Sequence, residues 1–232
     1  MSASLGEICA VACAEAFRHD GRKMVSPMAP IPKLGARLAQ ATFAPDIVLT
    51  DGVATIVDLD GDCEGWMPFS RVFDTVWNGQ RHVMMGATQV DRFGNQNISA
   101  LGDWERPKVQ LLGVRGAPGN TIYHPTSYFV PSHGTRVFVE AVDMVSGIGT
   151  DRGAYEIRCV VSNLGVFDFQ SEDGGMRLRS LHPGVSVDDV VEATGFPLHI
   201  PETIPRTREP TAVEREWLER LDPEGLIRGS LG

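Results

Sequence analysis

Pro45-Asp-Ile-Val-Leu-Thr-Asp-Gly52 is the stretch whose reading decides the fold class. A compact apolar run closed by Asp-Gly reads as a buried strand of a parallel sheet ending in a tight turn, because a strand covered on both faces has no polar side to alternate with. Upstream, Leu5, Ile8, Cys9, Ala12, Cys13 and Ala16 recur at helical spacing with Glu7, Glu15 and Arg18 off the stripe, which predicts an amphipathic helix. Ser4 and Glu7 have the capping-box spacing at its start. A Pro-rich connection through Pro27, Pro30 and Pro32 leads to a second short helix over Leu34 to Thr42. Downstream, residues 66–77 read as a helix with Phe69, Val72, Phe73 and Val76 on one face, and residues 82–87 as another buried strand. This alternation predicts an α/β fold, an open, mostly parallel sheet with flanking helices.

Farther along, Phe93-Gly94-Asn95 places a turn inside a hairpin over residues 89–97, and Gly113 to Asn120 form a glycine-rich loop. Arg136 to Val142 and Ile157 to Ser162 read as strands, with residues 165–169 continuing the pattern. Ser186 to Gly195 carries a cap, two early acids and a terminating glycine. Thr211 and Glu214 repeat the capping box before the stripe Val213, Trp217, Leu218 and Leu221. With no repeat or linker, one domain over residues 1–232 is expected, with residues 225–232 a loose tail.

The chain has 232 residues, 42% of them hydrophobic and 22% charged, enough to remove roughly two-thirds of its surface from water without disulfide staples. Its net charge of -9 repels phosphate backbones and anionic membranes, so neither nucleic acid nor a membrane is an expected partner. Local basic groups can still bind a coenzyme phosphate, because charge is felt over only about 10 Å at physiological salt. Four cysteines without framework or zinc spacing point to a reducing cytoplasm. The segment Ile8 to Ala14 is interrupted upstream by Glu7 and lacks a preceding basic residue, so it reads as helix, not as a signal peptide.

Asp58-Leu-Asp-Gly-Asp-Cys-Glu64 alternates carboxylates as a calcium loop does, but its glycine stands fourth and its twelfth residue is Phe69, so a solvated acidic loop is expected. Cys9 and Cys13 lie on the apolar stripe without a histidine at ligand spacing and read as buried thiols, and no metal is expected. His19, His82, His124, His133, His182 and His199 are scattered, and spacing neither builds nor excludes a catalytic triad. Nucleophile-elbow, Walker and dinucleotide fingerprints are absent. Arg115-Gly-Ala-Pro-Gly-Asn120 reads either as a cradle of backbone amides or as a plain Pro-Gly turn. Asp51, at a strand end, reads either as a ligand position or as an ordinary turn residue.

Pro45 to Gly52, then Gly86-Ala-Thr-Gln-Val-Asp-Arg-Phe-Gly-Asn-Gln-Asn97, Gly113 to Asn120 and His182 to Phe196, in that order, resemble the β subunits of family I coenzyme A transferases over nearly the whole chain. Within that family, residues 64–69, 114–122, 145–149, 160–169 and 207–211 are closely similar to the β subunits of bacterial steroid ring-cleaving hydrolases. The resemblance implies a transferase-type α/β fold, an α2β2 assembly with a separate α subunit, and an acyl-CoA substrate of sterol catabolism, with coenzyme A part of the substrate and no other cofactor. It implies that water adds to a ring ketone and that retro-Claisen cleavage follows, with the acid/base glutamate on the α subunit. A transferase β subunit carries a nucleophilic glutamate close to a glycine, where this chain has Thr50-Asp51-Gly52; the hydrolase reading expects that loss. By matching loops, the resemblance assigns Asp51, Gly52, Gly116, Gly119 and Asn120 to substrate binding, with backbone amides around residues 116–120 near the thioester oxygen. The alternatives are a CoA transferase using Asp51, and a non-catalytic metabolite-binding domain of a regulator, for which the chain lacks a basic helix-turn-helix.

Overall fold

The computed structural model describes residues 3–231, which divide into two compact units, 3–85 with 207–231, and 86–206. The first contains α1 (Leu5–Ala16), β1 (Met24–Pro27), α2 (Pro30–Thr42), β2 (Val48–Leu49), β3 (Thr55–Val57), β4 (Cys63–Trp66), α3 (Phe69–Asn78), β5 (Arg81–Met85) and, from the chain end, α6 (Ala212–Leu221). The second contains β6 (Gln89–Val90), β7 (Gln96–Asn97), β8 (Ala100–Leu101), β9 (Val109–Gln110), α4 (Ala117–Tyr123), β10 (Pro125–Val130), β11 (Glu156–Ser162), β12 (Gly165–Asp168), β13 (Arg177–Leu181) and α5 (Val187–Glu192).

In the first unit β1 pairs in parallel with both β2 and β5, and α2 packs on it. The capping box of α1 forms in both directions: Glu7 N donates to Ser4 Oγ at 3.2 Å, and Ser4 N donates to Glu7 Oε2 at 2.8 Å. The expected amphipathic face is not what the helix presents, because Gly6, Ala10, Val11 and Ala14, off the stripe, are buried too. Small side chains let neighbours close in on every side. A Cβ on Gly35 of α2 would lie 2.7 Å from both Ala10 O and Cys13 Cβ, and one on Gly6 would lie 2.0 Å from Arg228 O. The segment after Gly225, expected to be loose, carries defined bonds in its described part: Ile227 N and Arg228 N donate to Asp222 Oδ2 at 3.1 and 2.9 Å. Gly232 lies outside the described residues.

Helix α2 starts four residues before Leu34, absorbing Pro30 and Pro32 into its first turn, where the missing N–H groups would have had no intrahelical partner. The strand expected over residues 45–50 contracts to Val48–Leu49. The helix expected from Trp66 begins instead at Phe69, since Pro68 disfavours helical geometry at Met67, and Trp66 pairs with Thr55 across the β3–β4 hairpin. The acidic loop is the tip of that hairpin, with Asp58 Oδ1 accepting from Asp60 N and Asp62 N at 3.0 and 2.8 Å.

Joining α1 to α6, Arg208 donates through Nε to Glu15 Oε1 at 2.9 Å and through Nη1 to Glu214 Oε2 at 2.7 Å, while Thr211 and Glu214 form the expected capping box. Burial raises the pKa of Glu15 and Glu214, but hydrogen bonds and charge from Arg208, with Arg18 also beside Glu15, outweigh it and hold both below the usual range.

In the second unit β10 and β11 are parallel, β12 and β13 follow antiparallel, and α4 packs on β10. The hairpin over residues 89–97 forms as β6–β7. Residues 136–142 are not a strand: the amides of Val137 and Phe138 return to Gly134 O, leaving Phe138 one isolated bridge to Val90. Ser186 caps α5 as expected, but Gly195 does not terminate it. Ala193 is the C-cap, and Gly195 is needed because a Cβ there would lie 2.5 Å from Phe138 O.

Candidate active site

Asp51 and Gly52 form the turn leaving β2. Thr50 Oγ1 donates to Val25 O at 3.1 Å and accepts from Gly52 N at 3.2 Å, tying the turn to β1. Asp51 Oδ1 accepts three successive amides, from Val53, Ala54 and Thr55, at 2.8, 2.9 and 3.1 Å. Burial works to raise the Asp51 pKa, but these hydrogen bonds prevail and hold it below the ordinary carboxylate value. Gly52 has φ +92°, and a Cβ there would lie 2.4 Å from Pro27 O, so only glycine fits. One carboxylate oxygen of Asp51 is therefore committed to building the turn.

Gly116, Gly119 and Asn120 belong to the second unit, and the loop expected there is largely helical. Arg115 takes a left-handed φ of +47°, Gly116 is the N-cap, and α4 runs from Ala117. Two of the four amides of the expected cradle are used locally, Ala117 N donating to Val114 O at 2.9 Å and Asn120 N to Gly116 O at 3.0 Å; Pro118 has no N–H, and Gly116 N and Gly119 N make no hydrogen bond among the described residues. The Asn120 side chain is different. It is 1% exposed, and its Oδ1 is buried without a hydrogen-bond partner. Apart from Gly116's own chain neighbours, its Nδ2 is the one heavy atom of the described residues within 4 Å of the place a Cβ on Gly116 would occupy, at 3.5 Å.

The Gln89 to Asn97 segment is a knot of buried side-chain hydrogen bonds. Asp91 Oδ1 accepts from Phe93 N and Asn95 N, both at 3.0 Å. Asn95 Oδ1 accepts from Gly149 N at 2.8 Å, and its Nδ2 reaches Asp151 at 2.9 Å. Burial raises the Asp91 pKa against these bonds. The knot fixes residues 147–151, where a Cβ on Gly149 would lie 2.3 Å from Phe93 O. Gln96, not singled out as a site residue, donates to Gly86 O at 2.5 Å while its Oε1 stays buried and unpartnered. The signal that could have marked it is the density of amide side chains in one short hairpin, more than the backbone there can satisfy.

His133 is stacked on Phe138 with ring centroids 3.5 Å apart and lies 3.0 Å from both Ser162 Oγ and Thr194 Oγ1. Burial pushes its pKa down to about 3, so it is a neutral packing group. Burial pushes the Cys9 thiol up to about 12, away from thiolate chemistry. Among the described residues no group of three or more His, Cys, Asp or Glu side chains is placed to hold a metal ion, and no helix is long and apolar enough to cross a membrane.

The chain matches no protein-family model. It is 52% identical over 238 residues to the cholesterol ring-cleaving hydrolase IpdB subunit of Mycobacterium tuberculosis, an alignment spanning 95% of each chain. The chain belongs to the IpdB family. The crystal structure of IpdAB from Rhodococcus jostii superposes with a TM-score of 0.92 at 48% identity, covering 98% of both chains. The likeness to a 3-oxoadipate CoA-transferase subunit from Pseudomonas knackmussii is 29% identity over 83% of this chain and 84% of that one. The expected fold, a mostly parallel α/β sheet with flanking helices of the CoA-transferase β-subunit type, is the one this IpdB-family chain adopts. The Asp51-Gly52 turn and the segment from Gly116 to Asn120 are thus, in this chain, a hydrogen-bonded strand end and a short helix carrying one unsatisfied amide.

Proposed function

We propose that this chain is the β subunit of a cytoplasmic α2β2 hydrolase that opens the last steroid ring of a cyclic oxo-cyclohexene-carboxyl-CoA thioester. Water adds to the ring ketone, the bond between that carbon and its neighbour breaks, the new carboxylate keeps the water oxygen, and the leaving carbon becomes a thioester enolate that is then protonated. The acid/base glutamate comes from the α subunit, and coenzyme A is present as part of the substrate, with no other cofactor or metal.

The observation that carries this reading is the 52% identity to a ring-cleaving hydrolase subunit combined with the state of Asp51. A covalent carrier needs a carboxylate free to attack, and Asp51 is one methylene shorter than glutamate and anchored by three amides. Trp66, Phe69, Phe73 and Trp77 on β4 and α3 are exposed, an apolar surface that supports a partner subunit. The test is to co-produce the chain with its α partner and incubate the thioester in oxygen-18 water without any CoA acceptor. One labelled oxygen in the new carboxylate is expected. Product that forms only when an acceptor is added, with coenzyme A moved to it, would return the protein to the transferases.

A further inference from the structure

A guanidinium taken out of water is ordinarily met by a carboxylate, because an unpaired buried charge is among the most costly groups a fold can hold. Arg81, the first residue of β5, has no such partner among the described residues. It is 3% exposed, and the one hydrogen bond of its side chain runs from Nε to Ser26 Oγ of β1 at 2.9 Å. Burial pulls its pKa down to about 10 with no acidic group offsetting it, so the cation persists at neutral pH. Nη1 and Nη2 bond to nothing among the described residues, yet neither is sealed from solvent, so the outer edge of the fork lies at an opening. Arg81 stands opposite Met24 in the β1–β5 register and its side chain reaches Ser26, two residues farther along. The fork therefore leans toward the carboxyl ends of the parallel strands, where open α/β sheets bind their ligands. Ser26 Oγ lies 3.1 Å from Thr50 Oγ1, which accepts from Gly52 N at 3.2 Å, so two hydroxyls join the guanidinium to the Asp51-Gly52 turn. With Nε committed, the two terminal nitrogens present parallel N–H donors spaced for the two oxygens of a carboxylate. A planar carboxylate offers both oxygens along one edge, which suits this narrow opening better than a tetrahedral, heavily hydrated phosphate.

We propose that Arg81 is a recognition residue for the carboxylate created by ring opening, Nη1 and Nη2 each donating to one of its oxygens. The assignment rests on the hydrolase reading above and adds the group of the ring-opened product that this chain holds. Ser26 is a positioning residue, since its hydroxyl fixes Nε and thereby the direction of the fork.

The test uses the assembled α/β complex and two probes in titration calorimetry: the ring-opened CoA thioester, and its analogue with a neutral carboxamide in place of the new carboxylate. The wild-type complex is expected to bind the carboxylate at least about tenfold more tightly than the carboxamide, the worth of a charge-assisted fork. In Arg81→Met that ratio should collapse to about one, with the affinity for coenzyme A itself unchanged. The Tm of the ligand-free Arg81→Met complex should hold or rise, because an apolar side chain replaces an unpaired buried charge. A sharp fall in that Tm would show the fork already paired with a carboxylate supplied by the α subunit, and would overturn the proposal. Arg81→Lys keeps the charge but not the fork, and its ratio should fall between the two, which gives the comparison if methionine is not accommodated. Equal wild-type affinity for the two probes overturns the proposal without any variant, as does a tenfold ratio that persists in Arg81→Met. If the wild-type complex opens the ring but shows no preference, this assignment alone fails; if it neither opens the ring nor binds the ring-opened thioester, the hydrolase reading falls and the assignment falls with it.

Discussion

Replacing Asp51 separates turn-building from chemistry. In the folded chain its Oδ1 holds the amides of Val53, Ala54 and Thr55, of which the Val53 amide is exposed and would recover water. Hydrogen bonds to a charged acceptor are worth about 1.5–3 kcal/mol each when buried, but these share one oxygen in a half-exposed turn, so removing all three in Asp51→Ala should cost about 2 kcal/mol. Asp51→Asn keeps an oxygen acceptor in place and should cost about 1 kcal/mol. For a domain of this size each kcal/mol moves Tm by about 2–4 °C, giving a fall of about 2–4 °C for Asn and about 4–8 °C for Ala. The pKa of Asp51 is lowered in the folded state, so its contribution is present above the unfolded carboxylate value near 4 and is lost as pH falls through the lower folded value; the Asn variant should lose that acid limb. Ring opening by the complex should stay within about tenfold of wild type in Asp51→Asn, whereas loss of a covalent nucleophile costs about 10⁴-fold or more. Scanning calorimetry at neutral and acid pH, with turnover measured on the same samples, reads both quantities. A variant with unaltered Tm and turnover reduced a thousandfold would refute the reasoning, as would coenzyme A covalently trapped on Asp51 in the wild type.

Arg208→Met should lower stability by about 2–3 kcal/mol, the cost of a broken buried pair discounted for the partial exposure of Arg208 and Glu15, and adding Glu214→Gln should restore part of it in thermal melts. His133 stays neutral in the fold down to about pH 3, while the unfolded chain takes up its proton near pH 6.5. Stability therefore falls as pH drops through that window, and His133→Gln should show a shallower slope in denaturant titrations between about pH 6 and 4. Gly149→Ala would drive a Cβ to 2.3 Å from Phe93 O and 2.7 Å from Asn95 N, both backbone atoms that cannot swing aside. A loss of about 3 kcal/mol is expected, read as a lower Tm, and an unchanged melt would show that the 93–95 turn is softer than its hydrogen bonds require.

What could be read without the structure was what neighbouring residues settle between themselves. The two capping boxes, Ser4 with Glu7 and Thr211 with Glu214, and the Ser186 cap each need only a side chain and an amide three positions apart, and all three form, the last also as a reciprocal box with Asp189. The buried strand at residues 81–85 and the hairpin at residues 89–97 were legible for the same reason: apolar runs and a glycine turn carry their own signal. The placement of Asp51 and Gly52 at a strand end, and of Asn120 beside Gly116, was legible as position but not as state.

Only the tertiary structure decided which faces are covered and which polar groups are matched. Helix α1 is buried over all but Leu5, Glu7 and Glu15 because α2 and the Arg228 segment reach it from distant parts of the chain. The pairing of Arg208 with Glu15 spans 193 positions, and that of Asn95 with Asp151 spans 56. The glycine-rich stretch at residues 113–120 becomes helical from Ala117 and packs on β10, a strand that its own sequence did not announce. Burial and hydrogen-bond satisfaction are sums over whatever happens to surround a group, so a residue left buried and unmatched, as Asn120 is, emerges only once every neighbour is in place.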